Sequence, residues 1–375
     1  MKKYKIFVVN PGSTSTKIAL FEDEQMVFSY NIKHDAKKLA EFEEISDQLP
    51  YRKEMILNIL EENNISLEGV DAFVGRGGGL LPLLGGTYEI DELLLQHARI
   101  GANGINHPAQ LGCQLAEELR SQYGGRGFVV NPPDVDEYED IARVTGIKGI
   151  IRTSHMHALN QKETAIRHAN SIGKKYEDCN FIVCHIGGGI SIAAHRKGKM
   201  IDGNDIVEGE GPMTPTRAGA VPAVPLIRMC FSGKYTEKEL LEKFRNKGGM
   251  IDYLGTSDAL EISKKAEQGY KYEKLLWDAM IYQIIKVIGS MAAVLHGDVD
   301  GILLSGGLVN NKDLVNKITE ACSFIAPISA YPGEFEMEAM AAGAIRVLEG
   351  REEAKKYTGI PVWKRFQEEY ADIVF

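Results

Sequence analysis

A polar turn directly follows the first apolar segment of the chain. Residues 5–9 read Lys-Ile-Phe-Val-Val, and residues 10–17 read Asn-Pro-Gly-Ser-Thr-Ser-Thr-Lys. The first run is typical of a buried strand, and ligands bind at the carboxyl ends of strands in α/β sheets. The turn is therefore a candidate ligand site, although an ordinary Asx or Ser/Thr turn explains the same residues without a ligand. Its candidate contacts are Asn10, Ser13, Thr14 and Lys17.

Two glycine runs also follow apolar segments. Gly187, Gly188 and Gly189 come after residues 181–186, and Gly306 and Gly307 come after residues 299–305. Backbone N–H groups in such turns can approach an anion because no side chain intervenes, which suits the phosphates of a nucleotide. A tight turn without any ligand is the common alternative. The dinucleotide fingerprint GxGxxG and the phosphate loop GxxxxGK[ST] are both absent from the sequence.

Three further groups could carry chemistry. Arg217 ends a Gly- and Pro-rich loop, residues 209–217, where an arginine can clamp a carboxylate or phosphate through two hydrogen bonds. A solvated loop arginine is the alternative. His155 and His157 could bind a metal from one strand face, but without a clear third ligand hydrogen-bonded histidines are the commoner case. The acidic cluster at 134–140 is predicted to be mostly solvated surface.

The elements that must position these groups are predicted to occur twice. Three strands joined by tight turns are predicted early in the chain, and a second set repeats their order. The first set covers residues 5–9, 17–21 and 26–30, and the second covers 181–185, 190–194 and 200–202. Strands at 70–74 and 299–303 each lead to a glycine pair, and helices are predicted at 49–64, 272–296 and 334–348. The pattern predicts an internally duplicated α/β protein with a cleft between the halves, although any α/β protein yields strand–glycine pairs.

The composition excludes several classes of protein. The chain has 375 residues, of which 44% are hydrophobic and 25% charged, and its net charge is −9. An acidic surface lacks the positive footprint of non-specific nucleic-acid binding. We expect neither a membrane span nor a signal peptide, because no apolar run is long enough. The five scattered cysteines form no disulfide framework and no CxxC zinc pattern, so we expect free thiols and a cytoplasmic protein.

Five segments resemble the butyrate kinases and, more widely, the acetate and propionate kinases of the acetokinase family. They are Asn-Pro-Gly-Ser-Thr-Ser-Thr-Lys at 10–17, His-Ala-Leu-Asn-Gln-Lys at 157–162, His-Ile-Gly-Gly-Gly-Ile-Ser-Ile-Ala-Ala-His at 185–195, Leu-Gly-Thr-Ser-Asp at 254–258 and Leu-Ser-Gly-Gly-Leu at 304–308. The resemblance implies the duplicated actin-like (ribonuclease H-like) α/β fold that Hsp70 and sugar kinases share. It implies a carboxylate-side domain at 1–150 plus 333–375, and a nucleotide-binding domain with the oligomer contacts at 151–332.

The resemblance also implies roles for single residues. Asn10 would face the transferred phosphoryl group, His157 would hydrogen-bond its oxygens in the transition state, and Arg217 would clamp it. The nucleotide-binding residues implied are Ser13, Thr14, Lys17, His185, Gly187, Gly188, Gly189, Gly306 and Gly307. Glu336 would be associated with Mg²⁺, so the implied cofactors are ATP/ADP and Mg²⁺.

Two active-site positions depart from the family pattern. Arg76 occupies the place of a histidine in acetate kinases, and Phe73 takes the place of the active-site arginine, so Arg76 is its expected substitute. Asn131 stands where butyrate kinases carry an aspartate. We expect Asp134 or Asp136 to supply the missing charge, or the activity to be reduced.

The implied reaction is reversible, in-line phosphoryl transfer from ATP to butanoate or a branched acid such as isobutyrate or isovalerate. The acceptor is already ionised, so the enzyme needs charge neutralisation and no general base. Gly75 and Met156 replace bulkier family residues and predict a pocket for acids longer than acetate. A sugar or glycerol kinase would need an aspartate base, and an actin-like scaffold would have no use for His157 and Arg217. A homo-oligomer is implied, with no nucleic-acid or membrane partner.

Overall fold

The computed structural model describes residues 3–374, and the strands in this range form two sheets. The strands of the first sheet are β1 (Lys5–Pro11), β2 (Ser15–Glu22), β3 (Gln25–Lys33), β4 (Ala72–Gly75), β5 (Thr87–Glu89) and β6 (Arg126–Val130). Those of the second are β7 (Asn180–Ile186), β8 (Ile190–Arg196), β9 (Lys199–Gly203), β10 (Gly301–Gly306) and β11 (Ile328–Pro332).

The two sheets share one topology. The first has the order β3-β2-β1-β4-β6-β5 and the second the order β11-β10-β7-β8-β9. In each, three successive strands form an antiparallel meander, and the first of them pairs in parallel with the next long strand. A further parallel strand, β6 or β11, then extends the sheet. The predicted duplicated α/β fold is therefore confirmed, with β5 as an antiparallel addition to the first sheet.

Helices connect the strands. They are α1 (Ala36–Leu39), α2 (Leu49–Glu62), α3 (Glu92–Ile100), α4 (Leu111–Tyr123), α5 (Asp140–Arg143), α6 (Ala158–Ser171), α7 (Ala223–Cys230), α8 (Glu237–Arg245), α9 (Met250–Leu254), α10 (Ala259–Glu267), α11 (Lys271–Val294), α12 (Lys312–Cys322), α13 (Glu336–Leu348), α14 (Lys364–Glu369) and α15 (Ala371–Val374).

The chain divides into two compact units, each built on one sheet. The first comprises the residues up to Asp136 together with Phe335–Ala371, and the second comprises Glu137–Glu334 together with the residues from Asp372 on. Helix α13 returns to the first unit and packs on β1, β4 and β6. The core of this unit includes Phe7, Val9 and Phe73, all fully buried.

Helix α11 is the core helix of the second unit. Trp277, Met280 and Ile284 are buried against the second sheet, and the helix also packs on α10 and α12. By length and composition alone it could cross a membrane. A buried helix of a globular core passes the same test, so this finding is weak support for a membrane span.

Candidate active site

Three candidate residues lie at the carboxyl ends of adjacent strands in the first sheet. Asn10 is the penultimate residue of β1, Arg76 directly follows β4 and Asn131 directly follows β6. Parallel pairing of β1 with β4 and of β4 with β6 brings these ends to one edge. The Arg76 backbone N–H also donates to the Val9 carbonyl at 2.9 Å, which fixes where the arginine leaves the sheet.

Glu336 links Asn10 and Arg76 into one cluster. The Asn10 amide donates to Glu336 Oε2 at 2.8 Å, and Arg76 Nη2 lies 3.5 Å from Oε1. Arg76 is buried, and its Nη1 has no hydrogen-bond partner among the residues that the structure describes. A buried N–H group without a partner is costly, so a bound anion would stabilise this arginine.

A buried arginine that sequence reasoning missed donates hydrogen bonds to the residues that follow the turn between β1 and β2. Arg52 on α2 is fully buried, and its Nη1 donates to Thr16 Oγ1 at 2.9 Å and to the Ser15 carbonyl at 3.2 Å. Ser13 and Thr14 remain exposed on this turn, and Lys17 is exposed on β2 just after it. Burial lowers the pKa of Arg52 to about 10. Arg52 occurs in an ordinary helical pattern, so nothing in the sequence singles it out.

Gly75 has a packing role that the sequence did not reveal, and its place in the substrate pocket stays a prediction. A Cβ atom at Gly75 would lie 2.1 Å from the Gly112 carbonyl oxygen, inside the contact between β4 and α4. A side chain at Gly112 would meet the Arg76 carbonyl oxygen at the same distance. The glycine therefore allows a helix to approach a strand closely, which explains the residue type without reference to the acid.

Asn131 has a conformational role that the sequence did not reveal. Its φ is +37°, in the left-handed region that asparagine tolerates better than most residues. Its Oδ1 accepts from the Gly86 N–H at 2.7 Å, and its own N–H donates to the Gly86 carbonyl at 3.0 Å. These two bonds join the end of β6 to the start of β5. A place for Asn131 in the substrate pocket stays a prediction.

The acidic residues after β6 are not solvated as predicted. Asp134 and Asp136 are buried, and the Asp134 carboxylate accepts a hydrogen bond from Asn103. Burial raises the pKa of Asp134 to about 7, with Asn103 and the positive charge of Arg76 acting in the opposite direction. Asp134 is thus a second carboxyl group under the influence of Arg76.

The two glycine turns of the second unit lie at the same edge of its sheet. Gly187–Gly189 connects β7 to β8, and Gly306-Gly307 ends the neighbouring parallel strand β10. Gly306 has a φ of +98°, and a Cβ there would lie 2.4 Å from the Ile186 carbonyl oxygen. Only glycine fits this contact, which brings the ends of the two strands together.

His157 and Arg217 lie beside Gly189, and His185 stacks on His157. The imidazole rings of His157 and His185 stack with centroids 3.8 Å apart and an interplanar angle of 13°. A Cβ atom on Gly189 would lie 2.1 Å from Arg217 Nη1 and 3.1 Å from His157 Cε1. His157 sits at the N-terminus of α6 and not on a strand, so it cannot share a strand face with His155 as the metal interpretation required.

Arg217 is held by its own loop and is not a solvated loop arginine. Thr214 Oγ1 accepts from the Arg217 N–H at 3.0 Å, and Arg217 Nε donates to the Arg245 carbonyl at 3.4 Å. Burial lowers the pKa of Arg217, while Asp205 acts to raise it. Its Nη1 is buried without a hydrogen-bond partner among the described residues, which again suits an anion.

The base of this loop is fixed by a second arginine. Arg152 Nε donates to Glu210 Oε1 at 2.8 Å, and its Nη1 donates to Asp202 Oδ1 at 2.9 Å. The Asn204 side chain accepts from the Ile192 N–H, tying the loop to β8. Arg152 and Asn204 thus tie the segment that leads into the Arg217 loop to the second sheet, and neither was singled out by its sequence context.

Met156 is fully buried inside the second unit, with its sulfur close to Gly203 at the end of β9. A thioether can adapt its shape to a neighbouring ligand. Its role as a pocket residue stays a prediction.

Comparison with known proteins gives a consistent result. The model of the acetokinase family matches residues 138–326. The chain is 47% identical to butyrate kinase 2 of Clostridium acetobutylicum over 95% of its own length and 99% of that protein. It is 44% identical to a probable butyrate kinase of Clostridium botulinum over 94% of its length and 99% of that protein.

The solved structure of Porphyromonas gingivalis acetate kinase has the same fold, with a TM-score of 0.74 at 21% identity, covering 92% of this chain and all of that one. The motifs, the duplicated topology and the near full-length similarity lead to one assignment. The chain belongs to the acetokinase family.

Proposed function

We propose that this protein transfers the γ-phosphoryl group of ATP to a short-chain carboxylate, giving an acyl phosphate and ADP in a reversible reaction. Near full-length similarity to butyrate kinases supports the carboxylate kinase activity, with butanoate as the first candidate acceptor. The observation that carries the proposal is the arrangement of Arg217 and His157 around Gly189. The guanidinium and the imidazole lie next to a glycine, so no side chain separates them from a ligand at the backbone.

The chemistry explains why such a site suffices. Phosphoryl transfer to a carboxylate brings two anions together, and the acceptor is ionised before it binds. Catalysis therefore depends on neutralising negative charge in the transition state and on orienting the reactants. Arg217 and Arg76, each with one guanidinium nitrogen unpartnered among the described residues, are suited to bind phosphoryl or carboxylate oxygens.

The remaining site residues fit complementary roles. Gly187–Gly189 and Gly306-Gly307 would let the nucleotide approach the backbone closely, with His185 behind the first turn. The N–H groups of Gly187 and Gly306 donate to the Gly189 and Gly333 carbonyls, so the donors to the nucleotide would come from the other glycines. Asn10 would donate its amide to the transferring phosphoryl group. Ser13 and Thr14, exposed on the turn after β1, would contribute further hydrogen bonds, and Lys17, exposed on β2, a positive charge.

A Mg²⁺ ion is proposed to enter with the nucleotide. Among residues 3–374 no group of three or more His, Cys, Asp or Glu could hold a resident metal. Mg²⁺ typically binds one or two carboxylates together with phosphates and waters, and Glu336 fits that donor set because its side chain is 20% exposed. The ion would neutralise phosphate charge, and Asn10 and Arg76 would orient the Glu336 carboxylate.

The oligomeric state and the location are proposed on separate grounds. Val224, Ile227 and Phe231, on and just after α7, are all more than half exposed. Such an apolar surface supports a homo-oligomer that covers it with a second copy of the chain. The free cysteines support a reducing, cytoplasmic location.

The test is an ATP-dependent hydroxylamine trap for acyl phosphate. Acetate, propionate, butanoate, isobutyrate, isovalerate and valerate are compared as acceptors, with glucose and glycerol assayed for ADP release. We expect hydroxamate from the acids, with kcat/KM rising from acetate to the four- and five-carbon acids. ADP release with the sugars alone would contradict the carboxylate kinase, and acetate as the best acceptor would contradict butanoate.

A further inference from the structure

A buried chain of hydrogen bonds runs from His157 into the interior of the second unit. His157 Nδ1 lies 2.8 Å from Ser191 Oγ, and the Gln161 amide nitrogen lies 2.7 Å from the same oxygen. Gln161 Oε1 is 3.0 Å from His195 Nε2, and His195 Nδ1 is 2.7 Å from the Tyr176 hydroxyl. Ser191, Gln161 and His195 are completely buried, so water cannot replace these contacts.

The direction of each bond follows from the donors available. Gln161 Nε2 donates to Ser191 Oγ and to the Ser191 carbonyl, so its Oε1 must accept. His195 Nε2 therefore carries a hydrogen and donates to Gln161. Burial and the nearby charge of Lys162 lower the pKa of His195 well below its ordinary value, so its ring is neutral. His195 Nδ1 then accepts from the Tyr176 hydroxyl.

The donor and acceptor roles at Ser191 determine the tautomer of His157. Ser191 Oγ accepts from Gln161 Nε2 and, at 3.4 Å, from the His157 backbone N–H. Its own hydrogen is then free to donate, and the His157 Nδ1 atom lies within reach. A ring whose Nδ1 accepts a hydrogen bond carries its hydrogen on Nε2.

The imidazole of His185, stacked on His157, also carries its hydrogen on Nε2. The Asn160 amide nitrogen lies 2.8 Å from His185 Nδ1 and 2.9 Å from Ser305 Oγ, so it can donate to both. His185 then carries its hydrogen on Nε2, which lies 3.7 Å from Glu334. If both rings were cationic, two positive charges would lie 3.8 Å apart, which is unfavourable. Arg217 beside His157 adds a further positive charge.

We infer that Gln161 is a positioning residue, which acts through Ser191 to hold His157 as a neutral imidazole with its hydrogen on Nε2. In that state His157 donates a hydrogen bond to the phosphoryl group and takes no proton from the acceptor. Only the catalytic effect of this tautomer rests on the proposed function, because there the Nε2–H donates to the phosphoryl group. The tautomer itself is a property of the free protein.

The decisive measurement is the ¹⁵N spectrum of the full-length protein labelled at its nine histidines. The signals of His157 are identified by their loss in His157→Gln. We expect Nδ1 to have the shift of an unprotonated ring nitrogen and Nε2 that of a protonated one, throughout pH 6–8. A wild-type ring protonated on Nδ1, or on both nitrogens, would overturn the inference whatever the enzyme's activity.

Gln161→Glu tests the direction of the chain. A carboxylate can only accept, so Ser191 would donate to it and would accept from His157 Nδ1. We expect the His157 hydrogen to move to Nδ1 and kcat to fall about 100-fold, the cost of one lost transition-state donor, with a smaller change in KM. Activity should partly recover at low pH, where a doubly protonated His157 regains its Nε2–H.

Gln114→Glu is the matched control, because Gln114 is also a buried helical glutamine and lies in the first unit. It should leave the His157 signals unchanged. If Gln161→Glu does not fold, Ser191→Ala removes the same link with a smaller change, and His157 should then populate both tautomers. Unchanged His157 signals in a folded Gln161→Glu or Ser191→Ala protein would contradict the inference. Absence of acyl phosphate with a wild-type Nε2–H tautomer would instead contradict the proposed function.

Discussion

Gly189 matters through the side chain that it lacks. The Arg217 guanidinium and the edge of His157 occupy the space where a Cβ atom would be. The nearer of these atoms belongs to the end of a long, flexible side chain, which can move at little cost. A substitution there is therefore expected to displace Arg217 and to leave the fold intact.

Gly189→Ala should lower kcat at least tenfold while the melting temperature stays close to that of the wild type. The matched control is Gly188→Ala, because a Cβ at the adjacent glycine meets no atom within 4 Å. We expect Gly188→Ala to retain more of the activity. Steady-state kinetics and thermal unfolding of both variants check this, and equal losses would show that the turn itself is sensitive.

Arg217→Ala should reduce kcat by a factor on the order of 100 or more, because charge neutralisation acts mainly in the transition state. Arg217→Lys should restore part of the rate, since an ammonium group supplies charge but not two parallel hydrogen bonds. Arg351→Ala, at an exposed arginine paired with Glu349, serves as the control. Near wild-type turnover of Arg217→Ala in the hydroxylamine assay would remove Arg217 from the site.

Sequence reasoning found the residues that carry a family motif and missed those that support them. His157 lies in a segment that resembles the acetokinases, and Arg217 ends a Gly- and Pro-rich loop, so both were identifiable. Gln161 lies in the same segment as His157, but no role was assigned to it, because a buried polar residue in a helix has no local signature. Arg52 lies in none of these segments and was missed for the same reason. A glycine at a strand end is compatible with an open pocket and with a closely packed helix, so the residue type alone could not show the contact of Gly75 with Gly112.

Strand β4 and helix α4 meet through two glycines. A Cβ on Gly75 or on Gly112 would overlap backbone atoms of the other element at 2.1 Å. Backbone cannot move as a side chain does, so this contact fixes the spacing between helix and strand. The same contact fixes the backbone position of Arg76, whose carbonyl oxygen faces Gly112.

Gly112→Ala is expected to destabilise the protein by about 2 kcal/mol or more, because the added methyl group must push α4 away from β4. Gly289→Ala in α11 is the matched control, since a Cβ there meets no atom within 4 Å. That variant should stabilise the protein by about 0.5–1 kcal/mol through helix propensity. Urea unfolding of both proteins measures the difference, and a neutral Gly112→Ala would contradict the close contact.

Most strands and the longest helix were predictable. The helix expected at 272–296 is α11 at Lys271–Val294, and that expected at 49–64 is α2 at Leu49–Glu62. Both have long apolar periodicity, the strongest local signal. Strands β5, β6 and β11 were not predicted, and neither were most of the shorter helices. For β5 the reason is clear, because three residues carry too little pattern and its pairing with β6 depends on distant contacts.

At the scale of the whole molecule, buried carboxyl groups link stability to pH. The pKa of Asp134 is raised by burial to about 7, and that of Asp205 is raised to about 7 in the same way. The ordinary pKa of an aspartate side chain is 3.8. Between the two values the folded protein keeps protons that the unfolded chain has released, so the free energy of unfolding falls as pH rises from about 4 to about 7.

Asp134→Asn should flatten this dependence, because the amide oxygen can still accept from Asn103 and no longer titrates. The variant should be more stable than the wild type at pH 8 by on the order of 2 kcal/mol, and the difference should vanish near pH 4. Part of the slope should remain because Asp205 is unchanged. Urea unfolding across this range provides the measurement, and an identical slope in both proteins would contradict a buried, titrating Asp134.

The discontinuous first unit has a consequence for the order in which a ribosome makes the protein. Strands β1 to β6 are synthesised long before α13, yet α13 packs on β1, and the Tyr4 hydroxyl donates to the Leu348 carbonyl at 3.0 Å. The nascent chain must therefore carry the first sheet with one face uncovered while all of Glu137–Glu334 is translated. Glu137–Glu334, the main part of the second unit, is one continuous segment that can fold before α13 is made, so the first sheet is completed last.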